Sequence, residues 1–328
     1  MKIAEVVPGA EVGGTLSKLV AQAGVEDAVG TLPPVARLDA GGGDAPWDYL
    51  PMLRLKDRYN QAGFDLGVIE WRPPLNLAKR GLPGRDEEID AVCTLITSMG
   101  KLGIPIWCYE WMTDRNWVRT STSTPSRAGS VVTAFDRAAF EAGPPPELGE
   151  IAEDQLWDNL EYFLRRVIPV AEDAGVRLAM HPDDPPLSPL GGVGRIMSSL
   201  DGYRRLLQTV ASPMNGITFC QGNFRLMTDD LPAAIGELGA DGKIFFVHFR
   251  DVEGTVERFT ETWHDAGPTD MYGCVKAYRD VGFDGLMRCD HVPTMYGEPL
   301  NEVGYGTLGR LFAIGYMRGL IEAAGKEP

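Results

Sequence analysis

Histidine is scarce in this chain of 328 residues: only His181, His248, His264 and His291 occur, all in the second half. The five cysteines, Cys93, Cys108, Cys220, Cys274 and Cys289, are odd in number and lie far apart. That spacing excludes a disulfide framework and a C-x-x-C redox pair, and a reducing cytoplasm is the expected setting. No apolar run approaches the 18 or so residues of a membrane span. The start, MKIAEVVPGAEVGG, has no long apolar core of a signal peptide and reads as a first strand. Basic residues are outnumbered, 31 Lys and Arg against 46 Asp and Glu, for a net charge of −15. Nucleic-acid binding, which needs a basic footprint, is therefore not expected. No G-x-G-x-x-G follows an early strand, so a dinucleotide fold lacks its usual support.

What is present is a recurring pattern. Apolar, β-branched runs fall at 3–7, 28–32, 65–71, 104–110, 176–181, 216–220, 243–249 and 285–291. Between many of them lie helical patterns at 86–103, 154–175, 200–211 and 270–282, with apolar residues recurring at three and four. Several open with Asp and close with Gly, as helix termini do. Strand–helix alternation implies parallel strands joined by right-handed crossovers. Eight such strands predict a (β/α)8 TIM barrel, one domain over 1–328, with an open doubly wound sheet as the alternative. Residues 111–153 break the pattern after the fourth strand. An excursion there is expected to be a lid or an oligomer contact.

In a barrel, chemistry gathers at the C-terminal ends of the strands. The last four runs end on His181, Cys220, His248 and Asp290, about one strand–helix unit apart. Two imidazoles, a thiolate and a carboxylate suit Mn²⁺, Fe²⁺, Co²⁺ or Zn²⁺, and open positions could take substrate oxygens. Each residue alone has a plainer reading: a buried small hydrophobe for Cys220, a hydrogen-bonded structural residue for either histidine, a turn cap for Asp290. Their coincidence at equivalent places carries the metal reading.

These residues sit in motifs that resemble the mannonate dehydratase family, metal-dependent enzymes with a xylose-isomerase-like barrel. The motifs are GLPGRDEEID (81–90), NWVRT (116–120), HPDDPP (181–186), SPMNGITFCQG (212–222), FFVHFRDV (245–252), FTETWH (259–264), the GFDG…DH segment ending at His291, and VGYG (303–306). The resemblance implies elimination of water from D-mannonate or a related aldonic acid to a 2-keto-3-deoxy acid. It implies Mn²⁺ as the usual metal and His181, Cys220, His248 and Asp290 as its ligands. It also places His291 and Tyr305 where the family has its proton-transfer groups.

Further residues carry smaller expectations. Arg119 could clamp a substrate carboxylate with two parallel hydrogen bonds, or form a salt bridge within the insertion. Asp183 could orient a ligand imidazole, bind sugar hydroxyls or cap a turn. His264 and Glu261 could touch substrate or begin a solvent-facing helix. Glu70 is placed for the pocket, or pairs with an arginine. Trp111 and Trp71 could offer an apolar platform to a sugar.

The chain also departs from the family pattern. YEWMT (109–113) stands where Y-N-F-M-P is usual, Leu187 where an aromatic is expected, and QGN (221–223) in place of T-G-S. WRPPLN (71–76) replaces a histidine-containing segment, and VPTMYGE (292–298) has no arginine where a glycine–arginine pair is usual. All lie in loops that read the substrate, so the metal chemistry is expected to persist with altered choice of sugar acid. The partner is then a small sugar acid, with no membrane or nucleic acid, in a homo-oligomer. Two other readings remain: a metal-dependent sugar isomerase or epimerase, and a metal-retaining sugar-acid binder without turnover.

Overall fold

The computed structural model describes residues 1–33, 44–114, 116–300 and 303–326. Eight parallel strands close a barrel: β1 (Lys2–Val6), β2 (Asp27–Gly30), β3 (Asp65–Ile69), β4 (Ile106–Glu110), β7 (Arg177–His181), β8 (Asn215–Cys220), β9 (Ile244–Phe249) and β12 (Leu286–Cys289). Around the barrel their order is β1-β12-β9-β8-β7-β4-β3-β2. Each of the eight apolar runs thus became a strand, shifted by one or two residues at its ends. The pairing outlasts the third strand, since the Glu70 N–H still donates to the Gly30 carbonyl at 3.0 Å.

Helices cover the outside because their apolar residues repeat on one stripe. Along Glu153–Ala174 the buried residues include Leu156, Leu160, Phe163, Leu164, Val167 and Ala171, spaced three and four apart. Asp270 caps its helix as expected, its carboxylate accepting from the Gly273 N–H. The helix Arg85–Leu102 has no side-chain cap and instead carries Asp86, Glu87 and Glu88 in its first turn, where the helix dipole favours negative charge.

The strand period of two decides what reaches the mouth. Val68, Cys108, Ala179, Phe246 and Leu286 belong to one buried cluster formed by barrel strands. Two residues further along each strand, on the same face, come Glu70, Glu110, His181, His248 and Arg288. Cys220 follows Thr218 in the same way, and Asp290 follows Arg288. An apolar layer below therefore carries a polar layer above it, at the C-terminal end.

The excursion after β4 contains more regular structure than its sequence suggested. β5 (Ser121–Pro125) and β6 (Val131–Asp136) join β10 (Val252–Thr255) and β11 (Arg258–Glu261) in an antiparallel sheet of order β10-β11-β6-β5. Val118, Phe135, Leu187, Leu190, Val252 and Phe259 form its buried apolar cluster. FTETWH is therefore a strand end, not the start of a solvent-facing helix. Glu261 closes β11 and His264 is fully buried. No helix among the described residues is long and apolar enough to cross a membrane.

Candidate active site

A cavity of about 430 Å³ opens at the C-terminal mouth. Its lining includes His181, Asp290, His291 and Tyr305, together with Glu70 and Trp71. Beneath it, ligand atoms of His181, Cys220 and His248 lie within 4.8 Å of one another. Neighbouring strand ends bring them together, since β7, β8 and β9 are adjacent and Cys220 pairs in register with His248.

The three side chains are prepared for a cation. The His181 Nδ1–H donates to the Pro182 carbonyl at 2.7 Å, which leaves Nε2 as the nitrogen with a free lone pair. His248 Nε2 is buried with no hydrogen-bond partner, and Glu70 Oε2 stands 3.5 Å from it. A buried orphan nitrogen beside a carboxylate is costly unless something binds there. Cys220 is fully buried, and the Arg250 Nε–H donates to its sulfur at 3.2 Å. Two imidazoles and a thiolate fit a divalent transition metal. Asp290 adjoins this group: its Oδ2 is 3.7 Å from Cys220 Sγ and 3.7 Å from His248 Nδ1. Its oxygens also accept from Arg288 at 2.8 Å and meet Arg250 Nε at 3.0 Å. Burial opposes its charge, but Arg288, His291, His248 and Arg250 hold the carboxyl well below the usual range.

His291 follows Asp290 and stands on the cavity wall with φ of +41°, a sparsely populated region for a side-chain-bearing residue. Its Nδ1 is 2.9 Å from Glu261 Oε1, and its ring lies 5.1 Å from that of Trp117. Burial alone would raise the Glu261 carboxyl, but Arg250, His291 and Arg119 hold it at about 2. Tyr305 arrives through an antiparallel bridge between Val292 and Gly304, where Gly304 takes φ of +84°. The Tyr305 hydroxyl donates to Asp290 Oδ1 at 3.3 Å, and its ring is 5.6 Å from that of His291. Burial and the Asp290 charge push its phenol far up, so it keeps its proton.

The remaining expected residues divide. Glu70 lines the cavity and takes both expected roles, since its two oxygens accept from Arg288 at 2.7 and 2.8 Å. Arg119 lies outside the lining. Both its terminal nitrogens donate to Asp184, one also to Glu261, and Nε donates to Thr133. Asp183 is buried away from the cavity and accepts from the Met197 N–H at 2.7 Å, its carboxyl pushed up by burial to about 6. His264 Nε2–H donates to the Phe249 carbonyl at 2.8 Å, also outside the lining. Trp111 is buried against Phe163 and donates to the Leu156 carbonyl at 3.2 Å, while Trp71 reaches the cavity.

Sequence reasoning missed Arg250 and Arg288. Arg250 is 1% exposed and joins Glu261, Asp184, Asn223 and Cys220. Its one trace in the sequence is the glycine of CQG, because a Cβ at Gly222 would lie 2.4 Å from the Arg250 guanidinium. Arg288 sits two residues before Asp290, where strand period alone could have directed it inward.

Comparison with known proteins agrees with this geometry. The family model described as D-mannonate dehydratase (UxuA) matches residues 7–150 and 145–327. A mannonate dehydratase of Thermotoga maritima is 33% identical, covering 95% of this chain and 94% of its own. One from Streptococcus pneumoniae is 34% identical, over 86% and 85%. The crystal structure of mannonate dehydratase from Streptococcus suis serotype 2 superposes with a TM-score of 0.90 at 33% identity, covering 100% of this chain and 95% of that one. A structure of L-ribulose 3-epimerase, with TM-score 0.63 at 13% identity, shares the fold. The chain belongs to the D-mannonate dehydratase family, metal-dependent hydro-lyases that remove water from a sugar acid.

Proposed function

We propose that this dehydratase acts on D-mannonate or a related aldonic acid and releases a 2-keto-3-deoxy acid. One divalent ion, Mn²⁺ foremost, with Fe²⁺, Co²⁺ or Zn²⁺ as substitutes, is held by His181, Cys220 and His248 with Asp290 beside them. When bound, such an ion polarises the substrate carboxylate and stabilises charge developing at C2. The observation that carries the reading is that His181 of this donor group, Asp290 beside it, and His291 of the His291–Glu261 pair line one cavity.

The chain's own groups divide the proton work. Glu261 accepts a hydrogen bond from the His291 Nδ1–H, so Nε2 carries the lone pair and takes the proton from C2. Tyr305 keeps its proton at neutral pH and donates it as the C3–oxygen bond breaks and water departs. The resulting enol then becomes the ketone. Arg250 and Arg119 hold Glu261 ionised, and Arg250 also faces Asp290, which links the two halves of the site. The sheet built from β5, β6, β10 and β11, within and beside 111–153, serves as the lid, because β11 ends on Glu261, which meets His291 on the cavity wall.

The test is a panel of aldonic acids offered to Mn²⁺-loaded protein, with detection of 2-keto-3-deoxy acid. Keto-acid formation that falls about a hundredfold or more in His291→Ala supports the reading. Interconversion of neutral sugars without loss of water would replace it with an isomerase or epimerase. Metal-dependent binding of an acid without turnover would leave only a binder.

A further inference from the structure

An acid substrate needs a cation with unused donors, and the cations around the cavity are unequal in this respect. Arg288 is saturated: Nε and one terminal nitrogen donate to Glu70, and the other donates to Asp290 and the Cys289 carbonyl. Arg119, the carboxylate clamp suggested by sequence, has its donors taken by Asp184, Glu261 and Thr133. The loop after His291, residues 292–298, contains no arginine.

Arg72 differs. It lines the cavity just past β3, and its side chain is 19% exposed. Only Nε is firmly engaged, to Glu110 Oε1. One terminal nitrogen makes a long 3.4 Å contact with the Pro73 carbonyl, and the other has no hydrogen bond among the described residues. Glu110 is itself filled, since Lys79 Nζ donates to both its oxygens at 2.8 and 2.9 Å and the Met112 N–H donates at 2.6 Å. Glu110 therefore fixes the Arg72 guanidinium and does not compete for substrate. Lys79 lies behind it, its amine pushed down to about 7 by burial and by Arg72, so Arg72 is the permanent cation of this wall. Glu110 pairs in register with His181 on the neighbouring strand, so the wall borders the metal group directly.

We propose that Arg72 is the carboxylate receptor of this cavity, its two terminal nitrogens donating in parallel to a carboxylate of the acid substrate. A planar guanidinium held by Nε offers the paired geometry that a carboxylate accepts. The inference rests on the sugar-acid reading. It makes Arg72 the anchor of the acid, through either the C1 carboxylate common to all aldonic acids or a second carboxylate at the far end of an aldaric acid, and in the second case Arg72 also selects which acid is taken.

Binding separates these outcomes from turnover. D-mannonate, and the hexarate with a carboxylate at each end, are titrated calorimetrically into Mn²⁺-loaded His291→Ala protein and into the same protein carrying Arg72→Met or Arg72→Lys. Metal content is measured for each. Arg72→Met is expected to weaken binding of at least one acid about ten- to a hundredfold at unchanged metal content. Arg72→Lys should recover part of it, as a point charge without the fork does. An equal loss for both acids assigns the C1 carboxylate, and a loss confined to the hexarate assigns the second one. Binding of both acids within twofold of the parent overturns the proposal, as does a parent that binds neither. Failure of the dehydratase reading would show instead as wild-type protein that binds an acid and forms no keto acid.

Discussion

Nδ1 of His291 lies 2.9 Å from Oε1 of Glu261, two residues brought together from β11 and the turn after β12. A carboxylate held at about 2 stays ionised at neutral pH and selects the imidazole tautomer protonated on Nδ1. The nitrogen left free, Nε2, lies 3.6 Å from Asp290 Oδ1, beside the metal group. Glu261 thus leaves Nε2 as the His291 nitrogen with a free lone pair.

The first prediction follows from that contact. Glu261→Gln can donate to Nδ1 and so favours the wrong tautomer. Dehydration should fall about a hundredfold or more in kcat, with metal content retained. A kcat within threefold of wild type would remove Glu261 from the mechanism.

In the proposed mechanism His291 breaks the C2–H bond and Tyr305 assists the C3–oxygen bond of a single elimination, so their losses should not add. His291→Ala and Tyr305→Phe are each expected to cost two to three decades in kcat/KM, and the double variant little more than the worse single one. Full additivity in steady-state rates would mean that the two groups serve separate steps.

A stability prediction concerns Lys79, whose side chain is fully buried against Glu110. Burial and Arg72 already push the Lys79 amine down to about 7, and Glu110→Ala removes the group that opposes this, leaving Lys79 to lose its proton in the core and Arg72 without its carboxylate, which should destabilise the fold by about 1–3 kcal/mol. Replacing both residues with methionine should cost less than the single change, because only the part-exposed Arg72 then lacks its carboxylate and no buried amine is stranded. Urea midpoints of the three proteins decide this, and equal midpoints for the single and double variants would contradict it.

His264 supplies a pH dependence. Burial pushes its imidazole down to about 4, against about 6.5 in the unfolded chain. Between those values the unfolded chain binds a proton that the folded one excludes. Its contribution is therefore complete above about pH 6.5 and is lost as pH falls through 4, amounting to about 3 kcal/mol. His264→Gln can still donate to the Phe249 carbonyl and has nothing to titrate, so its unfolding free energy should fall less between pH 7 and 4.5. Parallel losses in the two proteins would show that His264 is not the group responsible.

Much of the fold was legible because its signals are local. A strand that alternates faces, or a helix that repeats at three and four, announces itself within a few residues. The strand ends His181, Cys220, His248 and Asp290 could therefore be aligned with one another before any coordinates. The arginines were not legible, because what defines them is distant. Arg288 meets Glu70 across 218 positions of chain, and Arg250 meets Asp184 across 66. Taken alone, each reads as an ordinary charged residue in a loop or strand. The second sheet escaped for the same reason. β6 pairs with β11, more than a hundred residues later, and VEGT and RFTE are too short to show an alternation. Glu70 was the intermediate case, its two readings both visible and its arginine partner supplied by the barrel closure.

The most direct measurement of the central claim is metal content. Elemental analysis of purified protein equilibrated with Mn²⁺ should find about one ion per chain in the wild type. The Cys220→Ala/His248→Ala double variant, if folded by circular dichroism, should hold almost none and form no keto acid. One ion per chain in that folded variant would contradict the site described above.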